Sequence, residues 1–200
     1  MYDWRQISDV ERTKLLKGRK LSHQPWHSPP HFNYEGKTRF IVTAACFEHR
    51  PVIGFSPERL CEFEAKLLEI SFECCDELYS WCVLPNHYHI LVDTPEVRIL
   101  QQALGKLHGR TSFQWNGEDD QRGRKVWYRS FERPMESERH FQVSLNYIHN
   151  NPVKHGYVTK WIDWPYSSAS QYLDRIGHEE ARRLWKEYPV LEYGREWDAY

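Results

Sequence analysis

His87 and His89 stand two residues apart in Leu84-Pro85-Asn86-His87-Tyr88-His89-Ile90-Leu91-Val92, and Tyr147 and Asn151 stand four apart in Asn146-Tyr147-Ile148-His149-Asn150-Asn151-Pro152-Val153. Residues two apart share a face of a strand, so a strand here presents both imidazoles together and sends Tyr88 and Ile90 to the other side. Two neutral imidazoles on rigid backbone make half of a coordination sphere for a divalent metal. Residues four apart share a face of a helix, which places the Tyr147 phenol and the Asn151 amide one above the other. The amide offers a carbonyl oxygen to a hard cation, and the phenol is a nucleophile that a nearby metal helps to ionise. Phosphoryl transfer needs that combination, a cation to polarise the scissile phosphate and a nucleophile held in line. Each pair alone also admits a plain structural role, the histidines on an exposed strand face and Tyr147 packed at a sheet edge.

The elements that must position these side chains are legible in the flanking sequence. Thr38 to Cys46 is an apolar, β-branched run of strand length. Ser56-Pro57-Glu58 supplies an N-cap, a proline at the first helical position and an early acid, and Leu60, Phe63 and Leu67 follow at helical spacing to about Cys75. Leu78 to Leu84 and Tyr88 to Asp93 read as two strands joined at the turn-prone Pro85-Asn86. Leu100, Ala103, Leu104 and Leu107 mark a second amphipathic helix over about Val97 to Trp115. A further strand is expected at Val126 to Phe131 and a third helix from Ser137 to about Asn150, ended by Pro152. Strand, helix, strand, strand, helix, strand predicts an α+β fold, a ferredoxin-like sandwich with an antiparallel sheet covered by helices on one face. The tail from Trp161 is aromatic and charged, with a helix expected over Glu179 to Tyr188.

Residues 1–36 read as an arm. Ser8-Asp9-Val10-Glu11 has capping-box spacing and opens a short helix to about Lys20, and the prolines of Gln24 to His31 then favour extended chain. His23, His27 and His31 are spaced by four, but without a helix that spacing does not gather them.

The 200 residues suit one domain with extensions. A net charge of −1 excludes a purely electrostatic nucleic-acid binder, so DNA contacts must come from locally clustered cations. Five cysteines without a C-x-x-C pair fit neither a disulfide framework nor a zinc ribbon and predict reduced structural thiols. No apolar leader and no run of eighteen apolar residues is present, which predicts a cytoplasmic protein without a membrane partner.

The two opening strings, with Ser137-Glu138-Arg139-His140-Phe141, Lys154 and Trp164-Pro165-Tyr166-Ser167-Ser168 in the same order, resemble the single-tyrosine HUH transposases. Within them the likeness is to the REP-associated tyrosine transposases of bacteria, relatives of the transposases of small insertion sequences. It covers roughly residues 37–173, leaving the 1–36 arm and a 174–200 helical tail. The resemblance implies that His87, His89 and Asn151 bind Mg²⁺ or Mn²⁺ and that Tyr147 is the catalytic tyrosine. It implies cleavage and rejoining of single-stranded DNA at palindromic hairpins through a 5′-phosphotyrosine intermediate, with a short guide sequence beside each hairpin. The arm, with Trp26, His27 and His31, is then a candidate guide reader. Lys106, Arg110, Arg122, Arg124, Lys125, Arg129, Arg133 and Arg139 are candidate DNA contacts. The protein is expected to act as a monomer or a homodimer. Two alternatives stand beside this, a domesticated hairpin-binding protein that no longer cuts and a His-dependent phosphodiesterase. Phosphodiesterases with three alternating histidines would need His where Leu91 stands.

Overall fold

A computed structural model describes residues 38–194 together with Ser8 and Val10, so the expected helix of the arm and Trp26, His27 and His31 lie outside the described residues. Residues 38–194 belong to one compact unit, Gly36–Asp198. Its elements are β1 (Arg39–Ala45), α1 (Pro57–Cys74), β2 (Glu77–Val83), β3 (His87–Asp93), α2 (Val97–Glu118), β4 (Phe131–Pro134), α3 (Glu138–Lys154), α4 (Ala169–Ile176) and α5 (His178–Glu187). The strands form one antiparallel sheet in the order β2-β3-β1-β4. Both expected helix starts are built as the sequence implies. The Ser56 hydroxyl accepts from the Arg59 N–H ahead of Pro57, and the Ser137 hydroxyl accepts from the His140 N–H.

The α+β class and the ferredoxin-like element order are realised, but the sheet is covered on both faces rather than one. Tyr88 and His89 are neighbours on β3 and therefore point to opposite sides. The Tyr88 ring packs on Phe63 of α1 at 5.6 Å and its hydroxyl meets His108 Nε2 of α2 at 3.1 Å. His89 instead packs on Tyr147 of α3 at 5.2 Å. The third helix thus closes the face that a bare ferredoxin-like core would leave to solvent, over a cluster of Ile41, Cys82, Leu84, Leu91, Leu145 and Ile148.

Three boundaries depart from sequence expectation. β4 forms at Phe131–Pro134, downstream of the expected strand, because Val126 and Trp127 are buried by other means. Trp127 stacks on His108 at 4.3 Å and makes an isolated bridge with Cys46. α3 runs through Pro152 to Lys154 instead of stopping before it. A proline there forfeits its own N–H, while the next turn is still closed by His155 N to Asn151 O at 3.0 Å and Tyr157 N to Pro152 O at 2.9 Å. The tail carries α4 as well as the expected helix, which spans His178–Glu187.

The five cysteines are unpaired with one another, and burial pushes the Cys46 thiol up to about 12, which suits an inert core residue.

One ionic network ties α1 to the end of α2. Arg59, 7% exposed, reaches Asp119 Oδ1 at 2.7 Å and Glu118 Oε2 at 2.8 Å, and Arg124 reaches Asp119 Oδ2 at 2.6 Å. The hydrogen bond from Arg59, joined by that from Arg124, holds the Asp119 carboxyl below its ordinary range. The stabilisation it confers is complete above the ordinary aspartate range and is lost as pH falls through the lowered folded value. Asp119→Asn should therefore destabilise the protein by about 2 kcal/mol at neutral pH, less than the roughly 3–5 kcal/mol of a fully buried pair because Glu118 still serves Arg59. Its deficit should shrink as pH falls below the usual aspartate range, which urea unfolding across a pH series would measure; a deficit independent of pH contradicts the assignment.

Candidate active site

The β2–β3 turn is braced before it presents its first histidine. Cys46 N donates to Asn86 O at 2.7 Å, Asn86 Nδ2 to His49 O at 3.1 Å and Gly54 N to Pro85 O at 2.9 Å. A Cβ on Gly54 would stand 2.3 Å from Pro85 Cβ, so the absence of a side chain permits this approach. β3 then registers against β1 with His89 opposite Thr43 and His87 opposite Ala45.

Each imidazole is oriented by an oxygen on its Nδ1 side. His87 Nδ1 lies 2.8 Å from Asn86 Oδ1, and His89 Nδ1 lies 2.7 Å from Thr43 Oγ1. Donation from Nδ1–H to these oxygens selects the tautomer whose Nε2 carries the lone pair, the form that ligates metal. The His87 and His89 rings are 5.0 Å apart. His87 Nε2 faces Asn151 Oδ1 at 2.9 Å. That separation also matches adjacent corners of an octahedral shell with bonds of roughly 2.1 Å, which stand roughly 3.0 Å apart. The donor set of two imidazoles and an amide oxygen therefore fits a small divalent cation. Among the described residues no group of three or more His, Cys, Asp and Glu is disposed to hold a metal ion, so a cation here depends on the amide.

Tyr147 sits one helical turn before Asn151, with Lys154 Nζ 5.0 Å from its ring centroid. His87, His89, Tyr147 and Asn151 are all buried, and Tyr147 is only 1% exposed. What covers it is the segment after α5. The Tyr193 ring meets the Tyr147 ring edge-on at 5.6 Å, and a Cβ on Gly194 would fall 2.3 Å from Tyr147 Cε2 and 2.9 Å from its hydroxyl. This strap is latched along α3: Ser144 Oγ and His140 Nε2 meet the Tyr193 hydroxyl at 2.6 and 3.0 Å, Asn146 Nδ2 donates to Tyr188 O at 2.9 Å, and Lys154 Nζ to Gly194 O at 3.0 Å.

Sequence reasoning brings His87, His89, Tyr147 and Asn151 to the place where the structure gathers them, and passes over four others. Thr43 and Asn86 orient the rings. Lys154 flanks the phenol. His155, whose ring is 5.0 Å from His87, was recoverable as the third step of the stride Tyr147, Asn151, His155.

The candidate DNA contacts scatter. Lys106 and Arg110 are exposed on α2, across the sheet from the histidines. Arg122 donates to Phe113 O and lies over that ring, and Arg124 is spent on Asp119 and Asn116. Lys125 lies over Phe47 and Tyr128, and Arg133 over Phe131. Arg129 is exposed before β4, and Arg139 reaches Glu187 O at 3.4 Å on the strap side of α3.

Comparison with known proteins gives this arrangement a context. The family described as "Transposase IS200 like" matches residues 46–151, a span that contains all four residues of the candidate site. A Haemophilus influenzae protein named for the REP-associated tyrosine transposases is 35% identical over 102 residues, 46% of this chain and 58% of its own length. An Escherichia coli REP-associated tyrosine transposase is 27% identical over 115 residues, 50% of this chain and 58% of its own. The chain thus spans less than two thirds of these relatives. A solved structure of a REP-associated tyrosine transposase bound to a REP hairpin aligns over 77% of this chain and 84% of its own with a TM-score of 0.53; at 20% identity that likeness is one of fold.

Because Asn86 and Thr43 orient the two rings, removing either should weaken metal binding without unfolding the protein. Asn86→Ala is expected to raise the Kd for Mn²⁺ about 10-fold, the scale of lost outer-shell support, in calorimetry or by the loss of free-Mn²⁺ resonance. An unchanged Kd in a folded variant would remove Asn86 from the site.

Proposed function

Since the chain belongs to the IS200-like transposase family, we propose that it is a metal-dependent transesterase that cuts and rejoins single-stranded DNA at hairpin-forming palindromes through Tyr147. The observation that carries this is the meeting of His87 Nε2 and Asn151 Oδ1 at 2.9 Å, beside His89 and one turn from a tyrosine. His87, His89 and Asn151 are the residues that would hold Mg²⁺ or Mn²⁺. Such a cation, when bound, supplies positive charge to a non-bridging or leaving oxygen of the scissile phosphate.

The chain's own groups do the rest. Tyr147 loses its phenolic proton and its oxygen attacks phosphorus; the new bond is Oη–P, the bond broken is P–O3′, and the departing 3′-oxygen takes up a proton. Lys154 adds positive charge beside the nucleophile as the phosphate approaches. Because the phosphodiester energy is retained in the phosphotyrosine, a 3′-hydroxyl can attack it and rejoin strands without ATP. The hairpin substrate follows the REP hairpin held by the structural relative, and a short guide sequence beside it would be read by the 1–36 arm, with 37–173 as the catalytic domain and 174–200 as a tail.

A second reading is favoured by one observation, the near-complete burial of Tyr147. A hairpin-binding protein that no longer cuts could keep its nucleophile covered permanently. In the catalytic reading the Tyr193–Gly194 strap must lift before a phosphate reaches the phenol.

Two experiments separate these readings. Incubation with a labelled hairpin oligonucleotide and Mn²⁺ should give a denaturant-resistant adduct that Tyr147→Phe abolishes; an equal adduct from Tyr147→Phe would sink the nucleophile assignment, and none from the native chain or from a chain freed of its strap favours the binding-only reading. Tyr193→Phe removes the hydroxyl held by Ser144 and His140. At about 1 kcal/mol per hydrogen bond it should speed adduct formation by about 5- to 30-fold, and an unchanged initial rate would show that the strap does not limit access.

A further inference from the structure

A cavity of about 310 Å³ opens between α4, α5 and the turn at Trp161–Asp163, lined by Trp161, Leu173, His178, Ala181, Arg182 and Trp185 among others. It lies outside residues 46–151 and shares no lining residue with the His87, His89, Tyr147 and Asn151 site. Its volume is at the lower end of the roughly 300–1,000 Å³ of small-molecule sites, enough for a flat ring system and its sugar.

Three features define the chemistry it would accept. Trp161 and Trp185 pack on each other with ring centroids 5.6 Å apart and planes inclined by 40°, one aromatic surface rather than a slot between two walls. Trp161 is held from behind by the His149 ring, 5.7 Å away and within 26° of parallel. Burial lowers His149 to about 3, so it stays neutral, anchored to Ser168 Oγ at 2.9 Å, and the wall is fixed before any ligand arrives. At the mouth, Arg182 makes no ion pair among the described residues, whereas its neighbour Arg183 is spent on Glu180 and Glu187. No carboxylate lines the cavity.

An aromatic surface and an uncommitted guanidinium together suit a nucleobase with an attached phosphate. We propose that this cavity receives one unpaired base of the bound DNA strand, stacked on the aromatic surface that Trp161 and Trp185 form, with Arg182 on the adjoining phosphate. The proposal rests on the DNA-processing reading above for the presence of a single strand, but not on Tyr147 chemistry. It also answers how a chain of net charge −1 grips DNA, by stacking and one directed cation instead of a broad basic face.

The test uses the full chain carrying Tyr147→Phe, so that binding is read without cleavage, and fluorescence anisotropy of a labelled hairpin with or without a single-stranded thymidine tail. Trp185→Ala should weaken the tailed hairpin at least about 5-fold and leave the blunt hairpin unchanged, and Trp185→Phe should retain most of the tail's contribution. Arg182→Gln should weaken the tailed hairpin and flatten its salt dependence. The proposal is overturned if these variants bind both hairpins as the parent does, or lose both equally, as a misfolded Trp185→Ala would. It is also overturned if free thymidine monophosphate binds as tightly as the tailed hairpin, which would make the cavity a mononucleotide site. Adduct formation at Tyr147 is scored separately, so failure of the catalytic reading and failure of this one are distinguishable.

Discussion

A β-strand sends alternate side chains to opposite faces, and β3 uses that alternation to serve two different interiors. Tyr88, Ile90 and Val92 build the core under α1 and α2, while His87, His89 and Leu91 face α3. The register against β1 cannot slip without exchanging the two sets, and the exchange would bury imidazoles in an aromatic core and turn Tyr88 toward the helix. The same pairing that stabilises the sheet therefore fixes where the histidines point. The braced Pro85-Asn86 turn then sets where the strand begins, and with it the first imidazole.

α3 completes the arrangement from the other side. Its inner face packs Phe141, Leu145 and Ile148 into the sheet and carries Tyr147 and Asn151 to the histidines, so apolar burial and site assembly are one event. His140, Ser144, Asn146 and Lys154 hold the strap that follows α5, and Arg139 reaches the last residue of α5 itself. One helix thus presents the tyrosine proposed as nucleophile and holds its cover. Under the proposed function, a closed state kept by a handful of hydrogen bonds, each of about 1 kcal/mol net, is weak enough for an incoming strand to displace.

Much of this was legible in local sequence because local physics decides it. The period of two at His87 and His89, the caps at Ser56 and Ser137 and the proline at the start of α1 depend on residues within a few positions. The stride from Tyr147 to Asn151 is equally local. The rest depends on partners far along the chain. Asn86 looked like a turn residue, and its second role appears only when its side chain meets the His87 ring. Thr43 matters because it is paired with His89 across 46 positions, and Gly194 because it lands on Tyr147. β4 formed downstream of its apolar run because Trp127 found a better partner in His108. Pro152 failed to stop α3 because its missing N–H cost little in the last turn.

The imidazoles of β3 and the phenol and amide of α3 are proposed to form one catalytic centre. Tandem mass spectrometry of the protein after reaction with hairpin DNA and Mn²⁺ addresses it most directly. The expected product is a nucleotide joined through its 5′-phosphate to the peptide containing Tyr147, absent when His89 is replaced by Ala. A modification on another tyrosine, a 3′-phosphate linkage, or the same Tyr147 product without His89 would contradict it.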